Sequence, residues 1–237
     1  MSISIQDIDS TSMEYSTYTV TIFNEVVHTV VTCTPTKVDE FITEILNTHQ
    51  NNPFIVGLDI EWRPNFNRNI DNPVATLQLC IGRKCLIFQF LYAPSIPKSL
   101  IDFLNNPSYK FVGIGIDEDV EKLLLDYSLR VANPVDLRSF AVNQLNRNEL
   151  KNAGLKEMAR VVLDMEISKP KRVTMSRWDV EWLTYDQVQY ACVDAFLSFE
   201  IGMYMAGAAG HHGDTLDCSV GWDGEWKSSG PYKWEMV

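Results

Sequence analysis

Two acidic residues stand two apart inside the apolar run Phe54-Ile55-Val56-Gly57-Leu58-Asp59-Ile60-Glu61-Trp62. The run has the make-up of a buried strand, and side chains two apart on a strand leave from the same face. Asp59 and Glu61 therefore project together from a buried element. Two carboxylates so placed lose hydration and repel each other. A strand tolerates them when something positive, such as a divalent cation, neutralises both. A single carboxylate at a strand end reads equally as a solvated edge residue or an ion-pair partner, so the rest of the chain must decide.

The flanking pattern is that of a layered α/β domain. Ser16 to Asn24 and Glu25 to Cys33 alternate apolar and polar residues as a hairpin does. Thr34-Pro35-Thr36 opens a helix in which Val38, Phe41, Ile42 and Ile45 recur at helical spacing. Strands are expected at Phe54 to Trp62, Val74 to Ile81, Cys85 to Phe90, Phe111 to Ile116 and Pro134 to Leu137. Helices are expected at Pro97 to Leu104, Asp119 to Tyr127, Arg138 to Leu145, Leu155 to Leu163 and Tyr185 to Met205. Early strands followed by helices interleaved with short strands imply a mixed sheet. With 237 residues, 46% of them hydrophobic, the chain can bury one substantial core. The expected organisation is a flexible tail over 1–15, one domain over 16–206 and a Gly-rich, then polar, flexible tail over 207–237.

Two further acidic positions matter. Asp119 follows Gly113-Ile114-Gly115-Ile116-Asp117-Glu118, where a strand hands over to a helix. There Asp117 or Asp119 reads as a helix N-cap, or Asp119 as a ligand. Asp194 lies four residues after Tyr190 on one helix face, among small and apolar neighbours. That pair alone reads as a core tyrosine with an acid accepting its hydroxyl. Taken together, Asp59, Glu61, Asp119 and Asp194 suit a pair of hard divalent ions, which need several carboxylate oxygens and otherwise keep water. The absence of Cys/His spacing favours Mg²⁺ or Mn²⁺ over zinc.

Asp59-x-Glu61, then Asp119 in a Gly-Ile-Gly-Ile-x-x-Asp stretch, then Tyr190-x-x-x-Asp194, resemble the three exonuclease motifs of the DEDD superfamily in its tyrosine-bearing (DEDDy) branch. Val74-Ala75-Thr76-Leu77-Gln78-Leu79, Gly154-Leu155-Lys156-Glu157-Met158-Ala159 and Ser176-Arg177-Trp178 are similar to Werner-type exonuclease domains and their plant relatives. The resemblance spans roughly Tyr18 to Met205. The sister branch has a histidine five residues before the last Asp, where this chain has Gln189. The resemblance implies a ribonuclease H-like (DnaQ-like exonuclease) fold, a mixed central sheet flanked by helices. It also implies 3′→5′ exonuclease activity by two-metal-ion hydrolysis, releasing nucleoside monophosphates. Metal roles follow for Asp59, Glu61, Asp119 and Asp194, and contact with the attacking water for Tyr190. A free tyrosine titrates near pH 10, so orienting that water suits Tyr190 better than deprotonating it.

Nucleic-acid contacts are expected from Ile60 and Trp62, beside the first motif, and from the basic stretch that holds Lys169, Lys171, Arg172, Arg177 and Trp178. Trp62 reads equally as a core residue, and the basic run as a solvated face. The net charge of −11 argues against a general affinity for nucleic acid. The segments expected as tails contribute −3 each (Asp7, Asp9 and Glu14 in the first), which leaves −5 for the domain. An alternative is a catalytically silent adaptor that binds nucleic acid or protein; paired-carboxylate glycosidase chemistry fits badly, because it needs two carboxyls rather than four. DNA with a recessed 3′ end is favoured over RNA, with a helicase or other protein partner acting in trans and no membrane. Five cysteines without a C-x-x-C pair and no secretory signal point to a reducing compartment, nucleus and/or cytoplasm.

Overall fold

Alternating strands early in the chain and unbroken apolar ones later sort into the edge and the centre of a single sheet. The computed structural model describes residues 3–9, 14–49, 54–65, 67, 69–209, 226–230 and 233–236. In chain order the elements begin β1 (Ile3–Asp9), β2 (Tyr15–Ile22), β3 (Glu25–Thr32), α1 (Pro35–Thr48), β4 (Ile55–Trp62), β5 (Val74–Ile81) and β6 (Lys84–Gln89). They continue with α2 (Lys98–Leu104), β7 (Lys110–Gly113), α3 (Ile116–Tyr127), β8 (Pro134–Asp136), α4 (Leu137–Leu145), α5 (Leu155–Leu163), α6 (Lys171–Thr174) and α7 (Tyr185–Ala209). The sheet runs β1-β2-β3-β6-β5-β4-β7-β8. β4 pairs antiparallel with β5 and parallel with β7, so the sheet is mixed, as expected. β5, buried at all eight positions, lies inside it.

Each face of the sheet carries its own core. On one side Val38, Phe41, Phe103 and Leu123 of α1, α2 and α3 pack with Leu58, Ile60, Leu77 and Phe88. On the other, Ala141, Met158, Ala159 and the apolar length of α7 pack with Ile55, Ala75 and Ile87. α7 is buried almost all round through its middle, because it lies between the sheet on one side and α4 and α5 on the other. No helix among the described residues is long and apolar enough to cross a membrane.

Three expectations are corrected. Ile3–Asp9, assigned to a flexible tail, is an edge strand in register with β2. Ile3 and Ile5 pack on the core while Ser4 and Gln6 face solvent, the period-two pattern that the nearby acids obscured. At the other end α7 runs to Ala209, and Trp226–Gly230 pairs antiparallel with Lys233–Met236 as a separate hairpin; the remaining expected tail residues lie outside the described ones. Lastly, the strand expected to reach Ile116 stops at Gly113. Gly115 takes a left-handed φ of 74° and donates its N–H to Asp136 Oδ2 at 2.8 Å, so the helix starts at Ile116. Its N-cap is Gly115, which displaces the N-cap reading of Asp117 and Asp119.

The closest approach of sheet and helix is at Gly57. A Cβ there would lie 2.0 Å from the Ala195 carbonyl oxygen and 2.8 Å from the Phe199 nitrogen. Both are backbone atoms, which cannot rotate away. Gly57→Ala should therefore cost about 3 kcal/mol or more in urea unfolding. Gly207→Ala, exposed on the same helix with nothing within 4 Å, should stabilise by about 0.5–1 kcal/mol. Similar midpoints for the two variants would refute the close contact.

Candidate active site

β4 and α7 cross where each carries its acids. Gly57 lies two residues before Asp59, and Ala195, whose carbonyl it meets, follows Asp194 directly. The contact that lets the backbones touch thus sets Asp194 over the strand. Asp59, Glu61 and Asp194 each present a carboxylate oxygen, and these oxygens lie within 4.8 Å of one another. Asp119, in the first turn of α3, stands outside that group of three but close enough for its charge to act on both Asp59 and Glu61. Of the four acids expected to converge, three are in direct reach and the fourth flanks them.

The electrostatics are those of a site missing positive charge. Burial, then the Asp194 and Asp119 carboxylates, push Asp59 well above the ordinary carboxylate range. Burial, then Asp59, does the same to Glu61. Asp119 is raised to about 7 by burial, with Glu118 and Asp136 adding to it. Asp194 is raised by burial, against the pull of Lys169. Asp59 Oδ2 is buried without a hydrogen-bond partner, and so is Oε1 of Gln78, the residue opposite Asp59 on β5. An orphaned carboxylate oxygen costs about 1–3 kcal/mol, more if charged. A hard divalent cation among these oxygens would satisfy it, so the donor set fits Mg²⁺ or Mn²⁺.

Tyr190 and Lys169 complete the pocket. The Tyr190 hydroxyl accepts from Thr174 Oγ1 at 3.2 Å, and burial, then Asp194, lift its pKa above the tyrosine norm. It stays protonated at neutral pH. Lys169 Nζ lies 2.5 Å from Asp194 Oδ2 and 5.0 Å from the centre of the Tyr190 ring. Burial would lower its pKa, but Asp194, Tyr190 and Asp59 together hold it above the ordinary lysine value. A cleft of about 380 Å³, lined in part by Ser168, Pro170, Arg172 and Gln189, opens beside Tyr190 and Asp194.

The expected substrate contacts divide. Lys169, expected on phosphate, is bound into the carboxylate group. Arg172 lines the cleft and pairs with Asp186 at 2.8 Å, and Lys171 is exposed beside it on α6. Arg177 is exposed and pairs with Asp179. Trp178 is corrected: it is 1% exposed and packs in the core against Tyr190, its ring too deep for a strand to reach. The Ile60 side chain is likewise buried, on the sheet face opposite α7. Trp62 leans to that same face, half-buried, with Lys122 Nζ 5.5 Å from its ring centre. Sequence reasoning missed Arg63, two residues after Glu61, which bonds Asp179 at 3.2 Å.

A mixed sheet with buried carboxylates brought together from a central strand and a long helix defines a phosphodiesterase-like metal site on a layered α/β frame. The chain belongs to the 3′-5′ exonuclease family, whose model matches residues 31–207. It is 32% identical over 174 residues to a 3′-5′ exonuclease of Arabidopsis thaliana, covering 71% of this chain and 60% of that protein. It is 31% identical over 176 residues to the bifunctional 3′-5′ exonuclease/ATP-dependent helicase WRN of Mus musculus, covering 74% of this chain and 12% of that one. The chain thus spans less than two thirds of the length of either relative. Crystalline Escherichia coli RNase D shares the fold, with a TM-score of 0.61 at 18% identity over 74% of this chain and 44% of its own.

The acid group gives stability a definite pH dependence. A carboxyl whose pKa is raised on folding adds stability that is full below its unfolded value, about 4, and is lost as pH rises through its folded value. For Asp119 that loss runs up to about pH 7, and Asp59, Glu61 and Asp194 act in the same direction. In EDTA the melting temperature should fall between pH 5 and pH 8. Mn²⁺ should raise it more at pH 8 than at pH 5. A melting temperature that climbs with pH in EDTA, or ignores Mn²⁺, would contradict this electrostatic description.

Proposed function

We propose that this chain is a metal-dependent exonuclease that removes nucleoside monophosphates from the 3′ end of a nucleic-acid strand. The observation that carries the reading is the three-carboxylate group with its orphaned Asp59 oxygen, in a chain of this family. Asp59, Glu61 and Asp194 would hold the divalent ions, with Asp119 flanking them for the second. When bound, such ions polarise the water and the phosphoryl group and offset charge on the leaving oxygen. The protonated Tyr190 hydroxyl, fixed by Thr174, orients the attacking water by a hydrogen bond rather than removing its proton. Lys169 keeps Asp194 ionised and in place. DNA is proposed as the preferred strand on the strength of the Werner-type relative, with a helicase acting in trans as a partner. A silent adaptor is the less favoured alternative, because nothing in the acid group is missing.

Digestion of 3′-labelled and 5′-labelled DNA and RNA in Mg²⁺, Mn²⁺ or EDTA is the direct test. The 3′ label should be released first, from DNA faster than from RNA, and not in EDTA. Asp59→Asn and Asp194→Asn should reduce release to background. Tyr190→Phe should lower turnover by about 10²-fold or more while Mn²⁺ binding, read by calorimetry, stays nearly unchanged. Release in EDTA, or full activity in the asparagine variants, would exclude the proposed chemistry.

A further inference from the structure

An arginine pair at the rim of the site has no assigned role. Arg63 Nη1 donates to Asp179 Oδ2 at 3.2 Å, while Arg177 donates to the same carboxylate through Nε at 3.1 Å and Nη2 at 3.2 Å. Two guanidiniums thus share one acid, leaving one positive charge. Each guanidinium has five N–H donors, and three in all are spent here. Both remain open to solvent, at 42% and 65% side-chain exposure.

The bridge spans the two halves of the catalytic group. Arg63 is two residues beyond Glu61, so their Cα atoms are at most about 7 Å apart. On the other side Gln187, in the first turn of α7, donates Nε2 to the Arg177 carbonyl at 3.1 Å and to Ser176 Oγ at 3.0 Å. Tyr190 is three residues further on, less than one helical turn, about 4.5 Å along the axis.

A purely structural role does not explain two arginines. The segment that carries Arg177 is already held by neutral bonds to its backbone. Gln89 Nε2 donates to the carbonyls of Val180 (3.2 Å) and Glu181 (3.0 Å), and the Tyr92 hydroxyl donates to that of Asp179 at 2.8 Å. Exposed ion pairs add at most about 1 kcal/mol. What the second arginine adds is surplus charge and forked donors, which match a phosphate.

We propose that Arg63 and Arg177, held as a fork by Asp179, form a phosphate site for the substrate strand, gripping a phosphodiester adjacent to the one being cut. The inference rests on the exonuclease reading for which strand is bound, and its test separates the two. The probes are a fluorescein-labelled dT octamer, with binding read by anisotropy in EDTA, and the p-nitrophenyl ester of thymidine 5′-monophosphate, which carries only the scissile phosphate.

Arg63→Gln/Arg177→Gln should raise the octamer Kd about tenfold and reduce its log–log salt slope by about 1.4, at about 0.7 for each charge lost. KM for octamer digestion should rise likewise, with kcat and hydrolysis of the nitrophenyl ester unchanged. Arg177→Gln alone, at an exposed position that leaves the core intact, should give about half the change in slope. The double lysine variant should keep most of the slope. Unchanged octamer binding and slope in a folded double variant overturn the phosphate site. Absence of hydrolysis by the unsubstituted protein would instead overturn the exonuclease reading, with the binding experiment still deciding on the arginines.

Discussion

The backbone contact between Gly57 of β4 and Ala195 of α7 is the constraint on which the rest depends. A strand and a helix ordinarily keep a layer of side chains between them. Here a missing Cβ on one side and a run of small residues on the other (Ala191, Cys192, Ala195) let the main chains meet. Gly202, further along α7, repeats the close approach against Val112 and Ile55. The reactive acids follow within two residues of the contact, Asp59 on the strand and Asp194 on the helix. They are therefore fixed by core packing rather than by a loop, which gives the precision that chemistry on a phosphoryl group demands.

That same burial creates an electrostatic debt. Asp59, Glu61 and Asp194 crowd within 4.8 Å, Asp119 adds its field, and Lys169 is the cation in contact with Asp194. One ammonium cannot balance that many carboxylates, so in the absence of further cations the acids resist ionisation. Fold stability and readiness for chemistry are in tension: each carboxyl is most comfortable protonated, and is useful as a ligand only when ionised. A divalent cation resolves the tension by favouring the ionised form of every group around it.

How much of this was legible in the sequence depends on the range of the interaction. The Asp59-x-Glu61 pair, the Tyr190/Asp194 helix face and the order of strands and helices follow from local periodicity, and β4, β5 and α7 appear where periodicity puts them. Asp119 was misread locally, because the cap of α3 is set by Gly115 and its bond to Asp136, 21 residues away. Trp178 and Ile60 look like surface contacts from their neighbours, yet their side chains point into packing formed by distant elements. The basic stretch splits for the same reason. Lys169 turns inward to Asp194, 25 residues on, whereas Arg177 turns towards Arg63, which no local pattern links to it. β1 was legible in principle, since Ile3-Ser4-Ile5-Gln6 alternates, but Asp7 and Asp9 made it look like a solvated tail.

An acidic protein cannot gather a polyanion with its overall field; a net charge of −11 repels one. Its grip must come from short-range, geometrically matched donors close to the reaction centre, where distances of a few ångströms outweigh screened charge elsewhere. Two populations of positive charge meet that need differently. Cations among the buried acids would act on the scissile phosphate, while guanidiniums at the rim, tied to both β4 and the start of α7, would act on its neighbour. Because both are anchored to the elements that supply Glu61 and Tyr190, a strand held at the rim is aligned with the carboxylates as well. Binding and positioning then become one event, which is how a chain hostile to nucleic acid at long range can present a phosphodiester in register for attack.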